Sequence, residues 1–141
     1  MEGRDAAVRL AERLQEAGYV PDVALVSSSN RTVQTFKRMA TVLGGTRLQV
    51  EELLYECARE SFVSVLAQLG DAETVLVVGH EPTTSQVAAW LAGPASLKRP
   101  LQRVAHGMPT ASAAILEFDT PWAQIGSRAG RLVDVLEGKP L

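Results

Sequence analysis

The sequence predicts an α/β domain in which a mostly parallel sheet is covered by helices on both faces. Two short apolar runs, VALV at 23–26 and TVLVV at 74–78, are typical of strands that are buried on both faces of a parallel sheet. Each run leads through a turn into a stretch with helical periodicity, and such alternation favours a doubly wound arrangement. With 141 residues, of which 46% are hydrophobic, the chain can bury one core, so residues 1–141 are expected to form a single domain.

The first half of the chain predicts helices on either side of the strand at 23–26. Apolar residues recur at helical spacing from Asp5 to Ala17, and the stretch RTVQTFKRMATVLGG after the strand has a second helical stripe that ends at two glycines. The segment 46–56, TRLQVEELLYE, fits either a short strand or the beginning of a helix. The segment 60–71, ESFVSVLAQLGD, indicates a helix that ends at its glycine.

The second half predicts another strand and helix, followed by a loop and further strands. After the strand at 74–78, Pro82 lies near the start of a helix in PTTSQVAAWLAG. Residues 93–109 contain three prolines and are expected to form a loop. TASAAILEF at 110–118 predicts a buried strand, and RLVDVL at 131–136 fits an edge strand or a short helix.

Composition and charge argue against several classes of protein, among them nucleic-acid-binding, disulfide-rich, metal-binding and membrane-spanning proteins. A formal charge of −2 and a pI of about 5.7 provide no general basic field for a nucleic acid or an anionic membrane. The single Cys57 excludes an internal disulfide framework, and two histidines without a cysteine or carboxylate cluster do not predict a metal site. No apolar run approaches the roughly 20 residues of a membrane span, and the first ten residues lack the pattern of a secretion signal. We therefore expect a cytoplasmic protein without metal or cofactor.

Polar residues follow both central strands, where ligands bind in an open parallel sheet. Arg31 comes after the strand at 23–26 and opens a helix, whose free backbone N–H groups favour an anion and to which arginine adds a fork of donors. His80 follows the strand at 74–78 behind Gly79, which permits a close approach of backbone or ligand. Together they predict a small anion pocket, most suited to a phosphoryl group. The alternative is that Arg31 is a solvated surface residue and His80 only ends a strand.

Other candidates carry weaker signals. Glu52 and Glu56 are expected on a solvated helix face, although either could donate a proton if its segment folds over the pocket. His106 lies in the expected loop and is interpreted as solvated. The chain has no glycine-rich loop ending in Lys-Ser or Lys-Thr, so an NTPase has no support.

Several motifs together resemble the histidine phosphatase superfamily, whose fold is phosphoglycerate mutase-like, and within it the SixA-type phosphohistidine phosphatases. VSSSNRTVQT matches the family's Ser-x-x-x-Arg-x-x-Gln-Thr turn through Ser27 and Arg31, and VLVVGHEP matches its strand with the second catalytic histidine through His80. MPTASAAILEF resembles the family's late strand and LLYE the stretch before its middle helix. The likeness runs in the family's order from the first helix to the C-terminus.

The resemblance implies a mechanism and a set of roles. In this family a histidine in an Arg-His-Gly run attacks phosphorus, and the phosphohistidine formed is then hydrolysed. Arg31 takes the place of the family's second arginine and His80 that of its second histidine, so both are expected to be catalytic and, with Ser27, to bind phosphate. The implied substrate is a phosphohistidine-bearing protein or a small phosphomonoester.

The first strand and its Arg-His-Gly run are absent from the sequence. We expect a domain that is incomplete at its N-terminus, with an open strand position between residues 23–26 and 74–78. Either these strands close up, or another chain fills the position in a homo-oligomer formed through an exposed sheet edge, or the natural protein is longer. The functional hypotheses are a phosphatase once the segment is restored, and a catalytically inactive phosphate-binding or regulatory module of the same fold. A third is a remnant that folds only as an oligomer.

Overall fold

The computed structural model describes residues 2–56 and 58–138, with residues 2–5 and Glu56 described by backbone alone. Cys57 therefore lies outside the described residues. The described residues include two 3-10 helices, at Glu52–Glu56 and Trp122–Gln124. The helices and strands of the described chain are, in order, α1 (Glu2–Glu16), β1 (Val23–Ser27), α2 (Asn30–Met39), β2 (Arg47–Glu51), α3 (Arg59–Leu66), β3 (Val75–Val78), α4 (Thr83–Leu91), α5 (Lys98–Ala105), β4 (Ser112–Phe118) and β5 (Gly130–Glu137).

The strands form two separate sheets. Three parallel strands lie in the order β2-β1-β3, and β4 and β5 form an antiparallel pair. β1 is the centre of the parallel sheet, pairing with β2 on one side and with β3 on the other. The predicted α/β class with a mostly parallel sheet is confirmed.

No open strand position lies between residues 23–26 and 74–78, and of the three expected alternatives the structure has the one in which these two strands close up. β1 and β3 are hydrogen-bonded neighbours whose register runs from Val23 opposite Val75 to Val26 opposite Val78. Pairing continues beyond the strands, where the Asp22 backbone N–H donates to the Thr74 carbonyl oxygen at 2.8 Å. Among the described residues, β3 and β4 each have a strand partner on one side only.

Helices cover both faces of the parallel sheet, as predicted. Because side chains alternate along a strand, Leu25 of β1 packs on one face with Phe62 of α3 and Val87 of α4. On the other face Val26 packs with Phe36 of α2. The resulting three layers leave the ends of the strands as the places where polar side chains gather.

The expectation of a loop over residues 93–109 is wrong in part, because Lys98–Ala105 forms α5. Pro100 is the third helical residue, and a proline is tolerated in the first turn since backbone N–H groups there have no partner within the helix. Val104 is buried against β5 and α4. The prolines suggested a loop, but this short segment forms a helix because its apolar face packs against the core.

The two ambiguous segments also have definite structures. Residues 46–56 contain both predicted alternatives, with β2 running directly into the 3-10 helix Glu52–Glu56. Residues 131–136 lie within strand β5.

Within the described part of the chain, no helix is long and apolar enough to cross a membrane.

Candidate phosphate-binding site

The carboxyl ends of β1 and β3 meet through a hydrogen bond between two predicted site residues. Ser27 is the last residue of β1 and is fully buried, and His80 lies two residues beyond β3. The Ser27 Oγ and His80 Nε2 atoms are 2.7 Å apart, and which of them donates depends on the histidine tautomer. This bond fixes the imidazole ring at the carboxyl edge of the sheet.

Arg31 lies in the first turn of α2, which begins directly after β1. Ser29 caps this helix by accepting a hydrogen bond from the Thr32 backbone N–H at 3.2 Å, and the Thr32 hydroxyl donates to the Ser27 carbonyl oxygen at 2.7 Å. The Arg31 side chain is exposed and forms no ion pair with any described residue. The exposed guanidinium of Arg31 and the N-terminus of α2 thus lie at the same end of β1 as Ser27, the hydrogen-bond partner of His80.

Tyr55 contributes to this region and was not predicted as a site residue. Its ring meets the His80 ring edge-on, with centroids 5.5 Å apart and planes at 72°, although its side chain is 60% exposed. It belongs to the 3-10 helix that follows β2. The sequence could have pointed to it through the rule that ligands bind at the carboxyl ends of parallel strands, which identified Arg31 and His80. Tyr55 comes four residues after the carboxyl end of β2.

Gly79 has a packing role in addition to its place before His80. A Cβ atom at this position would lie 3.3 Å from Phe62 Cζ and 3.3 Å from Thr84 Oγ1. The close approach that the glycine permits is therefore that of an α3 ring and an α4 hydroxyl. Both neighbours hold the turn that carries His80.

Glu81 occupies the amino end of α4. Its carboxylate accepts hydrogen bonds from the Ser85 backbone N–H at 2.9 Å and from the Ser85 hydroxyl at 2.7 Å. It also accepts a longer bond, at 3.4 Å, from the Met108 backbone N–H. A negative charge near a helix N-terminus is stabilising, and at α4 the Glu81 carboxylate supplies this charge.

The remaining predicted residues lie around or away from this site. Glu52 is exposed in the 3-10 helix that carries Tyr55, while the side chain of Glu56 lies outside the description. His106 ends α5 and lines a shallow groove of about 410 Å³ together with Arg99, Gln102 and Arg103. The structure therefore brings Ser27 and His80 into contact and places Arg31 nearby in the fold. Their roles in binding phosphate stay predictions.

Relatives of known sequence include two mycobacterial proteins. The Uncharacterized protein Rv1276c of Mycobacterium tuberculosis is 31% identical over 114 residues, which cover 79% of this chain and 70% of that protein. The Uncharacterized protein ML1117 of Mycobacterium leprae is 30% identical over 83 residues, covering 58% of this chain and 52% of that protein. No protein-family model matches the sequence.

Solved structures with the same fold include two that are named putative phosphohistidine phosphatase SixA. The one from Nakamurella multipartitia has a TM-score of 0.84 at 24% identity and covers 96% of this chain and 81% of its own. The one from Agrobacterium tumefaciens has a TM-score of 0.71 at 24% identity, covering 92% and 76%. The protein histidine phosphatase SixA complexed with tungstate has a TM-score of 0.74 at 19% identity, covering 96% and 80%. The chain therefore belongs to one family with Rv1276c of Mycobacterium tuberculosis and has the histidine phosphatase fold of the SixA type.

Proposed function

We propose that the chain binds a phosphoryl group at the carboxyl ends of β1 and β3, as the phosphate-binding part of a SixA-like phosphohistidine phosphatase of the cytoplasm. The observation that carries the proposal is the 2.7 Å contact between Ser27 Oγ and His80 Nε2. It holds the imidazole at the same sheet edge as the first turn of α2, where Arg31 extends into solvent.

The chemistry of these side chains suits a tetrahedral oxyanion. The Arg31 guanidinium offers paired N–H donors that match two phosphoryl oxygens. Since Nε2 of His80 is engaged by Ser27, Nδ1 is the ring nitrogen left to donate to a third oxygen. Negative charge that builds on the oxygens during phosphoryl transfer would strengthen both contacts.

Turnover needs a nucleophile that the described residues do not supply. His80 is held by Ser27, and His106 ends α5 among basic side chains. We propose that hydrolysis proceeds when a segment with an Arg-His-Gly run completes the site. The added histidine forms a nitrogen–phosphorus bond as the bond to the leaving group breaks, Glu52 or Glu56 is the candidate donor of the leaving group's proton, and water then cleaves the phosphohistidine. A phosphohistidine-bearing protein or a small phosphomonoester would be the substrate.

A second candidate function is a phosphate-binding or regulatory module without turnover. It is favoured by the hydrogen bond between Ser27 Oγ and His80 Nε2, which engages this nitrogen in a positioning contact instead of leaving it free to attack phosphorus. The two candidates agree on the phosphate site and differ in whether phosphate is released.

The site is tested by titrating the protein with tungstate in a calorimeter. We expect Arg31→Ala to weaken binding about tenfold or more, because charge-assisted hydrogen bonds are lost. The matched control is Lys37→Ala, which removes one positive charge from the last turn of the same helix. Equal weakening by the two variants would refute a specific role for Arg31, and unchanged binding in His80→Ala would remove His80 from the site.

Turnover is tested with a phosphohistidine-bearing protein, using chains with and without an added Arg-His-Gly segment. Phosphate release that depends on both the added histidine and His80 would support the phosphatase. Tungstate binding without phosphate release in either chain would leave the binding module as the function.

A further inference from the structure

The helix α5 carries a basic surface that the candidate site does not use. Residues 82–116 contain no aspartate or glutamate, so all 16 acidic residues of the chain lie outside this stretch. Within the stretch, Lys98, Arg99 and Arg103 lie on α5, and His106 ends the helix. A chain with a net charge of −2 thus presents one helix that has cations and no anion.

The side chains along one face of α5 line a shallow groove of about 410 Å³. They are Arg99, Gln102, Arg103 and His106. Residues spaced by three, four and seven positions share one face of a helix, and all four side chains are exposed. Val104, on another face of the helix, is buried against the core. The groove is therefore an open surface of hydrogen-bond donors on a helix that the core holds in place.

Two cations of α5 have no acidic partner in the protein itself. Among the described residues, Lys98 and Arg99 form no ion pair, and both lie in the first turn of the helix. Positive charge in the first turn opposes the helix dipole, so these two residues do not stabilise α5. Their positions are explained if they face an anion that comes from outside the chain.

Arg103 already holds a carboxylate in this groove. Its Nη2 atom is 2.8 Å from a carboxylate oxygen of Glu137, and its Nη1 atom donates to the Val135 carbonyl oxygen at 3.4 Å. Both contacts fix the guanidinium against β5. The side chains of Arg103 and Glu137 stay partly exposed, so a carboxylate from another chain can compete with Glu137 for this guanidinium.

We propose that the groove along α5 is a docking surface for an extended acidic segment of a partner protein, with glutamate or aspartate at alternate positions. Arg99 and Arg103 are four residues apart, which is about 6 Å along the helix axis. In an extended chain, alternate residues lie on the same side about 6.7 Å apart, so two carboxylates match the two guanidinium groups. The groove from Arg99 to His106 is about 10 Å long and accommodates about three to four extended residues.

The docking surface is separate from the candidate phosphate site. α5 leads to Met108, whose backbone N–H contacts the Glu81 carboxylate beside His80. Within the described part of the chain, the groove residues form no hydrogen bond or ion pair with Arg31 or His80. Docking of an acidic segment therefore does not rest on the proposed function.

The test is the fluorescence anisotropy of a labelled peptide in which glutamates alternate with serines. A peptide with glutamine in place of glutamate is the control for charge. We expect Arg99→Glu to weaken binding about tenfold or more, because a charge-assisted contact is replaced by repulsion. Lys37→Glu makes the same change of charge at an exposed position of α2 and should have little effect.

A second variant should change the affinity in the opposite direction. Glu137→Gln removes the internal carboxylate that competes for Arg103, so the peptide should bind about threefold more tightly. The matched control is Glu117→Gln, which removes the same charge from the exposed ion pair with Arg131 and should leave the affinity unchanged.

Several outcomes would overturn the proposal. They are no binding of the glutamate peptide, equal binding of the glutamine peptide, equal effects of a variant and its control, and tighter binding of a single-stranded oligothymidylate, which would assign the groove to a nucleic acid. His80→Ala separates this surface from the phosphate site. That variant should lose tungstate binding and keep peptide binding. Loss of peptide binding would place the peptide at the phosphate site and overturn the proposal, whereas unchanged tungstate binding would concern only the proposed function.

Discussion

β1 and β3 have similar sequences, VALVS and VLVV, yet the structure places them in different environments. They are neighbours in register, and both have helices on both faces. β1 is buried at every residue, while β3 is partly exposed at every residue. β1 has a strand on each side and β3 has one on a single side. The burial of an apolar strand thus depends on its lateral neighbours as well as on the layers above and below it.

The largest expected effect comes from truncating the centre of β1. Leu25 is 0% exposed and lies in the cluster shared with α3 and α4. We expect Leu25→Ala to lower the free energy of unfolding by about 3 kcal/mol, because a cavity forms that its paired neighbours cannot close. Urea unfolding followed by circular dichroism measures the effect. A loss below about 1 kcal/mol would contradict the rigid packing inferred for β1.

The comparison is sharpened by the same substitution at paired positions. Val26 of β1 and Val78 of β3 are register partners, and Val26 is fully buried while Val78 is partly exposed. We expect Val26→Ala to lower the free energy of unfolding by about 2 kcal/mol and Val78→Ala by about 1 kcal/mol. The second loss is smaller because folding buries less of the Val78 side chain. Equal losses in urea unfolding would show that the edge of β3 is covered in solution.

The carboxyl ends of the two strands are joined by Ser27 and His80. Ser27→Ala removes this bond, so the imidazole gains freedom and tungstate affinity should fall about fivefold, corresponding to about 1 kcal/mol. Ser28→Ala is the matched control, because Ser28 is exposed one residue further along. Calorimetric titration that shows no difference between the two variants would exclude a positioning role for Ser27.

The amino ends are joined by Asp22, and here the expected effect is smallest. Hydrogen bonds from the Thr74 and then the Glu73 backbone N–H groups hold the pKa of the Asp22 carboxyl below its ordinary value of 3.8. The contribution to stability is therefore present above that value and is lost as the pH falls through the lowered pKa. We expect Asp22→Asn to be less stable at about pH 7 and to lose less stability than the parent between about pH 7 and about pH 2.5.

Urea midpoints at the two pH values measure this difference. Asp119→Asn serves as the control, because Asp119 is exposed and accepts no hydrogen bond from the residues described. A parent and an Asp22→Asn variant with the same dependence on pH would rule out a contribution of the Asp22 carboxylate to stability, while the backbone bond from Asp22 to Thr74 would still join the amino ends.

Sequence periodicity was sufficient to predict the helices and strands that have an ordinary length and bury an apolar face. The strands at 23–26, 74–78 and 110–118 and the helices around them were predicted because each carries a continuous or periodic apolar pattern. Helix α5 was missed because Pro100 normally signals a break, and only tertiary packing of Val104 shows that the first turn tolerates it. The direct pairing of β1 with β3 was only one of three alternatives, because the order of strands depends on long-range pairing that periodicity does not encode.

The candidate site was predictable in its parts but not in its contacts. Arg31 and His80 follow apolar runs, so the rule for ligands at the carboxyl ends of parallel strands identified them. The bond from Ser27 to His80 joins residues 53 positions apart, and the contact of Tyr55 with His80 depends on a segment whose structure was ambiguous. Motif reading gives residue types at strand ends, and only the packed chain shows which of them touch.

The Glu81 carboxylate at the start of α4 has a consequence for the speed of binding. It places a negative charge one residue from His80. Seen from a distance of about a Debye length or more, this charge partly cancels the positive charge of Arg31, so a diffusing anion is attracted less strongly. Attraction to an anion is then confined to short distances, where individual hydrogen bonds form. Encounter with a phosphorylated ligand should therefore gain little from electrostatic steering, and its association rate should vary only weakly with ionic strength.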